Sequence, residues 1–222
     1  MLNRQELQSL IDTNPFVSLN SITYQYLFQK IITLEMEPES TINVTKIADI
    51  LGLSRSPVQA AVEQLRQDGL VEKLPGKAMI VTAIKYSEYA QILQVRRAIE
   101  AEGAYYAAKW ITAKNLTLLK ELLQRSRNPD LSADDICAID DQFHTCIIHS
   151  SQNKYFVQVY ESFHSILLRY RHFATKRGLN SGNFYAMHVG LYNALKNHLS
   201  DQARCEVCFI IDSMNKVLRF LE

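Results

Sequence analysis

The stretch TKIADILGLSRSPVQAAVEQLRQDGL, residues 45–70, decides how the rest of the chain is read. Ile47, Ala48, Ile50, Leu51 and Leu53 form one apolar cluster at helical spacing, and Val58, Ala61, Val62 and Leu65 form a second. Between them Gly52 stands where a first helix must end, because glycine enters positive φ without a Cβ clash. Ser54 is an N-cap residue for the next helix, its hydroxyl placed to accept an orphaned amide. Pro57 falls in the first turn, where the N–H it lacks would have no intrahelical acceptor. The pattern predicts two helices joined by a tight turn, with Arg55, Ser56, Gln59 and Ala60 on the exposed start of the second. From such positions a helix-turn-helix reaches base edges in a major groove. An ordinary amphipathic helical hairpin is the plainer alternative.

Residues 53–61, LSRSPVQAA, resemble the V-S-R-T-P-V-R-x-A signature of the GntR family of bacterial transcription regulators. Residues 65–71, LRQDGLV, resemble the same family's L-x-x-x-G-L-V, which leads from the recognition helix into a β-hairpin wing. The resemblance implies a winged helix-turn-helix that binds a pseudo-palindromic double-stranded operator as a homodimer. Ser54, Arg55, Ser56 and Gln59 would face the DNA. Gln59 replaces the usual arginine, and an amide favours adenine over guanine. The sequence departs from the family elsewhere too. Pro38-Glu39 stands for Pro-Gly, Val44-Thr45 for Glu-Arg, and Lys77-Ala78-Met79 for the Arg-Gly-Ala of the wing tip, leaving Lys77 as the main wing contact.

Charge complicates this reading. Residues 1–85 carry 8 Lys and Arg against 9 Asp and Glu, a net of −1, whereas phosphate neutralisation supplies most non-specific DNA affinity. Affinity must come from a local patch, with Lys46, Arg55, Lys73 and Lys77 as candidates, and from dimerisation. The full chain has a net charge of +1 over 222 residues, 47% hydrophobic, with 7 Gly and 5 Pro. That composition fits a soluble, helix-rich globular protein of two modest domains, 1–84 and 85–222. The first fifteen residues, with Arg4, Glu6 and Asp12, hold no continuous apolar core. They read as neither signal peptide nor membrane span, which predicts a cytoplasmic protein. Cys137, Cys146, Cys205 and Cys208 suit a reducing compartment. The Cys205-x-x-Cys208 spacing lacks a second pair and reads as core packing.

Taken in order, the chain predicts a short helix from Asn3 to Asp12, with Asn3 and Glu6 at capping-box spacing, and a helix from Ser21 to Met36 stopped by Pro38. Strands at 71–74 and 79–81 flank the turn-forming Pro75-Gly76-Lys77. From Tyr86 onward helical periodicity predicts six helices, over 87–110, 113–127, 132–151, 154–176, 183–197 and 202–221, joined closely enough to form an antiparallel bundle. The fold class is thus mainly α, a winged helix-turn-helix followed by an all-helical ligand-binding domain.

Within that second domain Asp140 and His144 are four residues apart, on one helix face, and can offer one cation an oxygen and a nitrogen. ILQVRRAIEAEGAYYAA, residues 92–108, resembles the entry helix of the FCD class of GntR regulators, and Asp140 to His144 resembles that class's D-x-x-F-H. Ser151-Gln152-Asn153 stands where S-G-N is usual. The resemblance implies a divalent transition metal, Zn, Mn, Fe or Ni, held by Asp140, His144 and His188. Counting eleven residues from Asp201, as the class does to its fourth histidine, reaches Asp212; Cys208 is the softer alternative. It also implies a small organic acid effector, with Arg96, Glu100 and Asn153 beside it. Arg96 and Arg97 cannot both face the interior, and Arg96 occupies the class's inward position. Two plainer readings stand against these: hydrogen-bonded helix histidines, and a surface Arg96–Glu100 ion pair. A metal-dependent hydrolase with an N-terminal accessory module is the competing function, but no nucleophile or general base stands beside the metal residues.

Overall fold

Side chains that take orphaned amides mark the helix starts, and residues at positive φ mark several of the ends. The computed structural model describes residues 2–74, 78–178 and 184–218, with side chains to residue 214. Its contacts divide the chain into two compact units, Met1–Ile84 and Lys85–Glu222.

In the first unit Asn3 caps α1 (Arg4–Thr13), accepting from the Gln5 amide at 2.8 Å. The expected capping box does not close, because Glu6 turns to Lys30 at 2.7 Å and the Asn3 amide donates to the Tyr26 hydroxyl at 2.6 Å. Ser18 caps α2 (Leu19–Ile32). This helix ends before Met36 and Pro38, since Leu34 takes φ 63° and turns the chain first. Helices α3 (Val44–Leu51) and α4 (Arg55–Gln67) form the hairpin read from residues 45–70, with Gly52 between them at φ 68°. Ser54 is the N-cap of α4, but its hydroxyl makes no capping bond. The reason lies in the sequence. The N3 position, whose amide an N-cap oxygen usually accepts, is Pro57, which has no N–H to donate.

Strands β1 (Thr41–Ile42), β2 (Val71–Lys73) and β3 (Met79–Val81) form an antiparallel sheet in the order β1-β3-β2. Val71 pairs with Val81 and Lys73 with Met79, while Thr41 pairs with Ile80. The wing hairpin is therefore present, and β1 adds an edge that sequence reading missed. Lys77 and its turn lie outside the described residues. Leu27, Ile31, Val58, Val62, Leu65, Leu70 and Val81 are buried together as the core of this unit.

The second unit consists of α5 (Tyr86–Trp110), α6 (Ala113–Arg125), α7 (Ala133–Ser150), α8 (Lys154–Lys176), α9 (Phe184–Lys196) and α10 (Ser200–Leu218). Ser132 and Asp135 form a capping box at the start of α7. Helix α5 is central, packing against α7, α8, α9 and α10. Its buried Ala101, Gly103, Ala104, Ala107 and Ala108 keep the approach close. A Cβ at Gly103 would stand 2.6 Å from Cδ1 of Ile148 on α7. Close packing of this kind brings side chains from α5, α7, α8 and α9 to one buried point.

Candidate functional sites

Two places in the molecule concentrate polar chemistry, and they are opposite in kind. The first is the start of α4, where Ser54, Arg55, Ser56 and Gln59 are exposed while Pro57, Val58, Ala61, Val62 and Leu65 are buried. Lys46 on α3 is exposed as well. No acidic residue occupies the first turn of α4, so the positive end of its dipole is uncompensated.

The second is a buried cluster in the helical unit. Asp140, His144 and His188 each point one ligand atom at a common centre. His144 Nε2 lies 3.2 Å from His188 Nε2, and Asp140 Oδ1 lies 3.5 Å from the first and 3.7 Å from the second. A metal with bonds of about 2.0–2.1 Å to tetrahedral ligands needs donors roughly 3.3–3.4 Å apart, so this triangle fits one. The far sides of the donors are fixed. His144 Nδ1 lies 2.9 Å from Glu100 Oε2, and His188 Nδ1 lies 2.9 Å from the Phe184 carbonyl. Asp140 turns Oδ2 to Arg171 Nε at 2.8 Å. Outer partners of this sort set the tautomer and aim of ligating imidazoles. With both Nδ1 atoms turned outward, the two Nε2 atoms are left 3.2 Å apart, a spacing that a shared proton or a metal ion can bridge.

Electrostatics follow the same geometry. Burial alone would lower His144, but Glu100 and Asp140 outweigh it and raise its pKa. His188 is lowered to about 3, first by burial and then by the His144 charge. Burial opposes ionisation of Asp140 and Glu100, yet Arg171 on the one and Arg96 on the other, with His144 on both, hold each carboxyl below its ordinary range.

Arg96 is fully buried and doubly bonded to Glu100, at 2.6 and 3.1 Å, and its remaining arm meets the Met214 sulfur at 3.4 Å. It faces the interior as expected, while Arg97 is half-exposed. The Arg96–Glu100 pair is therefore no surface pair, and its carboxylate meets the outer nitrogen of His144. Asn153 caps α8, accepting from the Tyr155 amide at 3.0 Å. Asp212 is not brought to the centre. Its half-exposed carboxylate pairs with Arg97 at 3.2 Å, because α10 turns Val207, Ile210 and Ile211 inward and leaves residue 212 on the rim. Cys208 does not join the donor triangle, and Cys205 is exposed rather than packed in the core.

Arg171 was not singled out by sequence reading. Its guanidinium, buried in full, bridges Asp140 and, at 2.6 Å, Asp141, which also holds His164 at 2.8 Å. The available signal was a pair of arginines, Arg169 and Arg171, inside the apolar run of α8. A small cavity opens beside the triangle, lined by Asp140, His188 and Arg171 on its polar side and by Ile136, Phe184, Met187 and Met214 among its apolar residues. Its volume of about 40 Å³ is room for about three waters.

A winged helix-turn-helix followed by an all-helical unit with a buried polar cluster is a two-part architecture in which the first unit has the form of a DNA-binding module. The comparisons place it more narrowly. Residues 19–81 match the profile for bacterial regulatory proteins of the gntR family, and residues 91–208 match the FCD domain; the chain belongs to the GntR family and carries an FCD effector-binding domain. It is similar to the HTH-type transcriptional repressor RspR of Escherichia coli, with 23% identity over 85% of this chain and 83% of the relative. An HTH-type transcriptional regulator encoded in an unstable DNA locus of Streptomyces ambofaciens is also 23% identical, over 78% of this chain and 73% of its own. The solved structure of E. coli McbR/YncC superposes with a TM-score of 0.74 at 20% identity, covering 93% of this chain and 99% of that one, and shares the fold. No helix among the described residues is long and apolar enough to cross a membrane.

Proposed function

We propose that residues 1–84 bind a pseudo-palindromic operator as one half of a homodimer, and that residues 85–222 dimerise and couple that binding to a small carboxylate held at a metal centre. Arg55 and Gln59 read base edges, with Lys46, Ser54 and Ser56 positioning the helix on phosphates. The observation that carries the effector half is the donor triangle of Asp140, His144 and His188 with its outer faces already fixed. A divalent ion of the Zn, Mn, Fe or Ni kind, when bound there, supplies positive charge and open positions for an anionic oxygen. This chain's residues do the rest. Glu100 and the Phe184 carbonyl aim the imidazoles, Arg171 orients Asp140, and Phe184, Met187 and Met214 give the effector an apolar wall. The regulator acts in the cytoplasm.

A ligand shifts DNA affinity only by its differential affinity for two arrangements of the protein, typically about 1–3 kcal/mol. The test is DNA binding by wild type and His144→Ala in the presence of a panel of hydroxy, keto and dicarboxylic acids. At least one acid is expected to change operator affinity in wild type and leave His144→Ala unmoved. An acid that shifts both proteins equally places the effector pocket elsewhere.

A further inference from the structure

We infer that α1, which lies outside the segment matched by the gntR profile, extends the DNA-contacting surface and that Arg4 is a contact to the phosphate backbone. The inference rests on the family's DNA-binding activity and on where the fold holds this side chain. The Arg4 guanidinium lies directly over Gly52, so close that a Cβ there would stand 2.6 Å from Cζ and 2.7 Å from Nε. Gly52 closes α3 and opens the turn into α4, and the residue next but one, Ser54, is the N-cap of the recognition helix. Arg4 is thus carried to the helix-turn-helix corner by a helix that the motif does not contain.

Its tether is built. The Tyr26 hydroxyl receives the Asn3 amide at 2.6 Å and donates to the Asn3 carbonyl at 3.1 Å, clamping the start of α1 onto α2. Lys30, itself buried, holds Glu6 at 2.7 Å, and Leu7 is sunk in the core. Arg4 itself is exposed, and among the described residues no carboxylate pairs with it. Helix α3 has no basic residue in its last turn, so the negative end of its dipole helps to keep the guanidinium there. A cation held at this corner, unpaired and open to solvent, has the geometry of a phosphate contact, since the helix before the turn crosses the backbone in such complexes. It also strengthens the local patch on which a segment of net charge −1, Arg4 included, must rely: Arg4 stands with Lys46 and Arg55 among the exposed cations around the helix-turn-helix.

The test uses the full chain and two duplexes of equal length, one selected by the wild-type protein from a random pool and one of unrelated sequence, titrated at several KCl concentrations. Arg4→Ala is expected to weaken both duplexes by the same factor, roughly 3- to 10-fold, and to reduce the slope of log affinity against log salt by about one per protomer. Arg4→Lys restores most of the slope. Tyr26→Phe, which leaves the charge but loosens the clamp, gives a smaller loss on both duplexes. Unchanged affinity and slope in Arg4→Ala, with an unchanged melting temperature, overturns the inference. So does a loss confined to the selected duplex, because that is the signature of base readout.

Discussion

The start of α4 and the cluster around Asp140 show two ways in which one chain stores charge. At the start of α4, Ser54, Arg55, Ser56 and Gln59 face water and, among the described residues, make no side-chain hydrogen bond or ion pair, so each is free for another molecule. In the cluster around Asp140 each charged group is committed. Arg96 holds Glu100, Glu100 holds His144, and Arg171 holds Asp140 and Asp141. The first surface is therefore built for affinity and the second for position. Removing a side chain from the first is expected to cost DNA binding and leave the fold alone, whereas removing one from the second strands a buried charge.

The largest expected effect tests the second half of that contrast. Glu100→Ala leaves the fully buried Arg96 with no carboxylate and His144 with no outer acceptor. Breaking a buried pair from one side costs about 3–5 kcal/mol, and urea denaturation measures it. A loss under about 1 kcal/mol breaks the comparison, since the cluster would then have slack that its distances do not suggest. Next in size is removal of metal. Ligands drawn from α7 and α9 tie those helices together, and at a hundredfold excess over Kd the bound ion stabilises by about 2.7 kcal/mol. Chelation of protein purified without added metal lowers the melting temperature, and Zn or Mn restores it. A melt that neither treatment moves argues that the triangle is closed by a proton alone.

The exposed surface answers differently. Arg55→Ala should cost roughly 1–3 kcal/mol of operator affinity and relax base preference, with stability changing by less than about 0.5 kcal/mol. Normal operator binding by this variant removes α4 from its role. A shift in its denaturation midpoint shows instead that Arg55 has a structural partner.

Legibility in the sequence divides along the same line. The helix-turn-helix was readable because its determinants are local: Gly52 at the turn, Pro57 in the first helical turn, and an apolar face repeating at helical spacing. Asp140 and His144 were readable for the same reason, being one turn apart. Strand β1 was not, because its two residues take their ladder from Met79 and Ile80, far along the chain. Arg171 was not, since nothing near it in sequence says that α8 passes behind Asp140. Arg96 is read as facing the interior, and it does, but a sequence does not reveal that Glu100 and the Met214 sulfur already meet its guanidinium. Ser54 misled in its capping bond because the rule for N-caps assumes an amide at N3, and Pro57 provides none.

The smallest expected effect concerns Asp212, where counting along a helix and packing of that helix disagree. The count from Asp201 assumes that α10 presents the same face to the centre as its relatives do. In this chain Ile210 and Ile211 take the inward direction and Met214 reaches the cavity wall one turn on from Ile210, so residue 212 points past the rim toward Arg97. An ion pair with both partners half-exposed is worth between about 0.2 and 1 kcal/mol and fades with salt. Asp212→Ala should therefore change stability by no more than that, and should leave metal content and the chelation-induced shift in melting temperature as they are in wild type. Asp140→Ala, in the same measurement, should abolish both. If Asp212→Ala loses metal as Asp140→Ala does, then α10 rotates on binding and the rim carboxylate is the fourth ligand after all; if it does not, the open positions of the ion stay free for the effector.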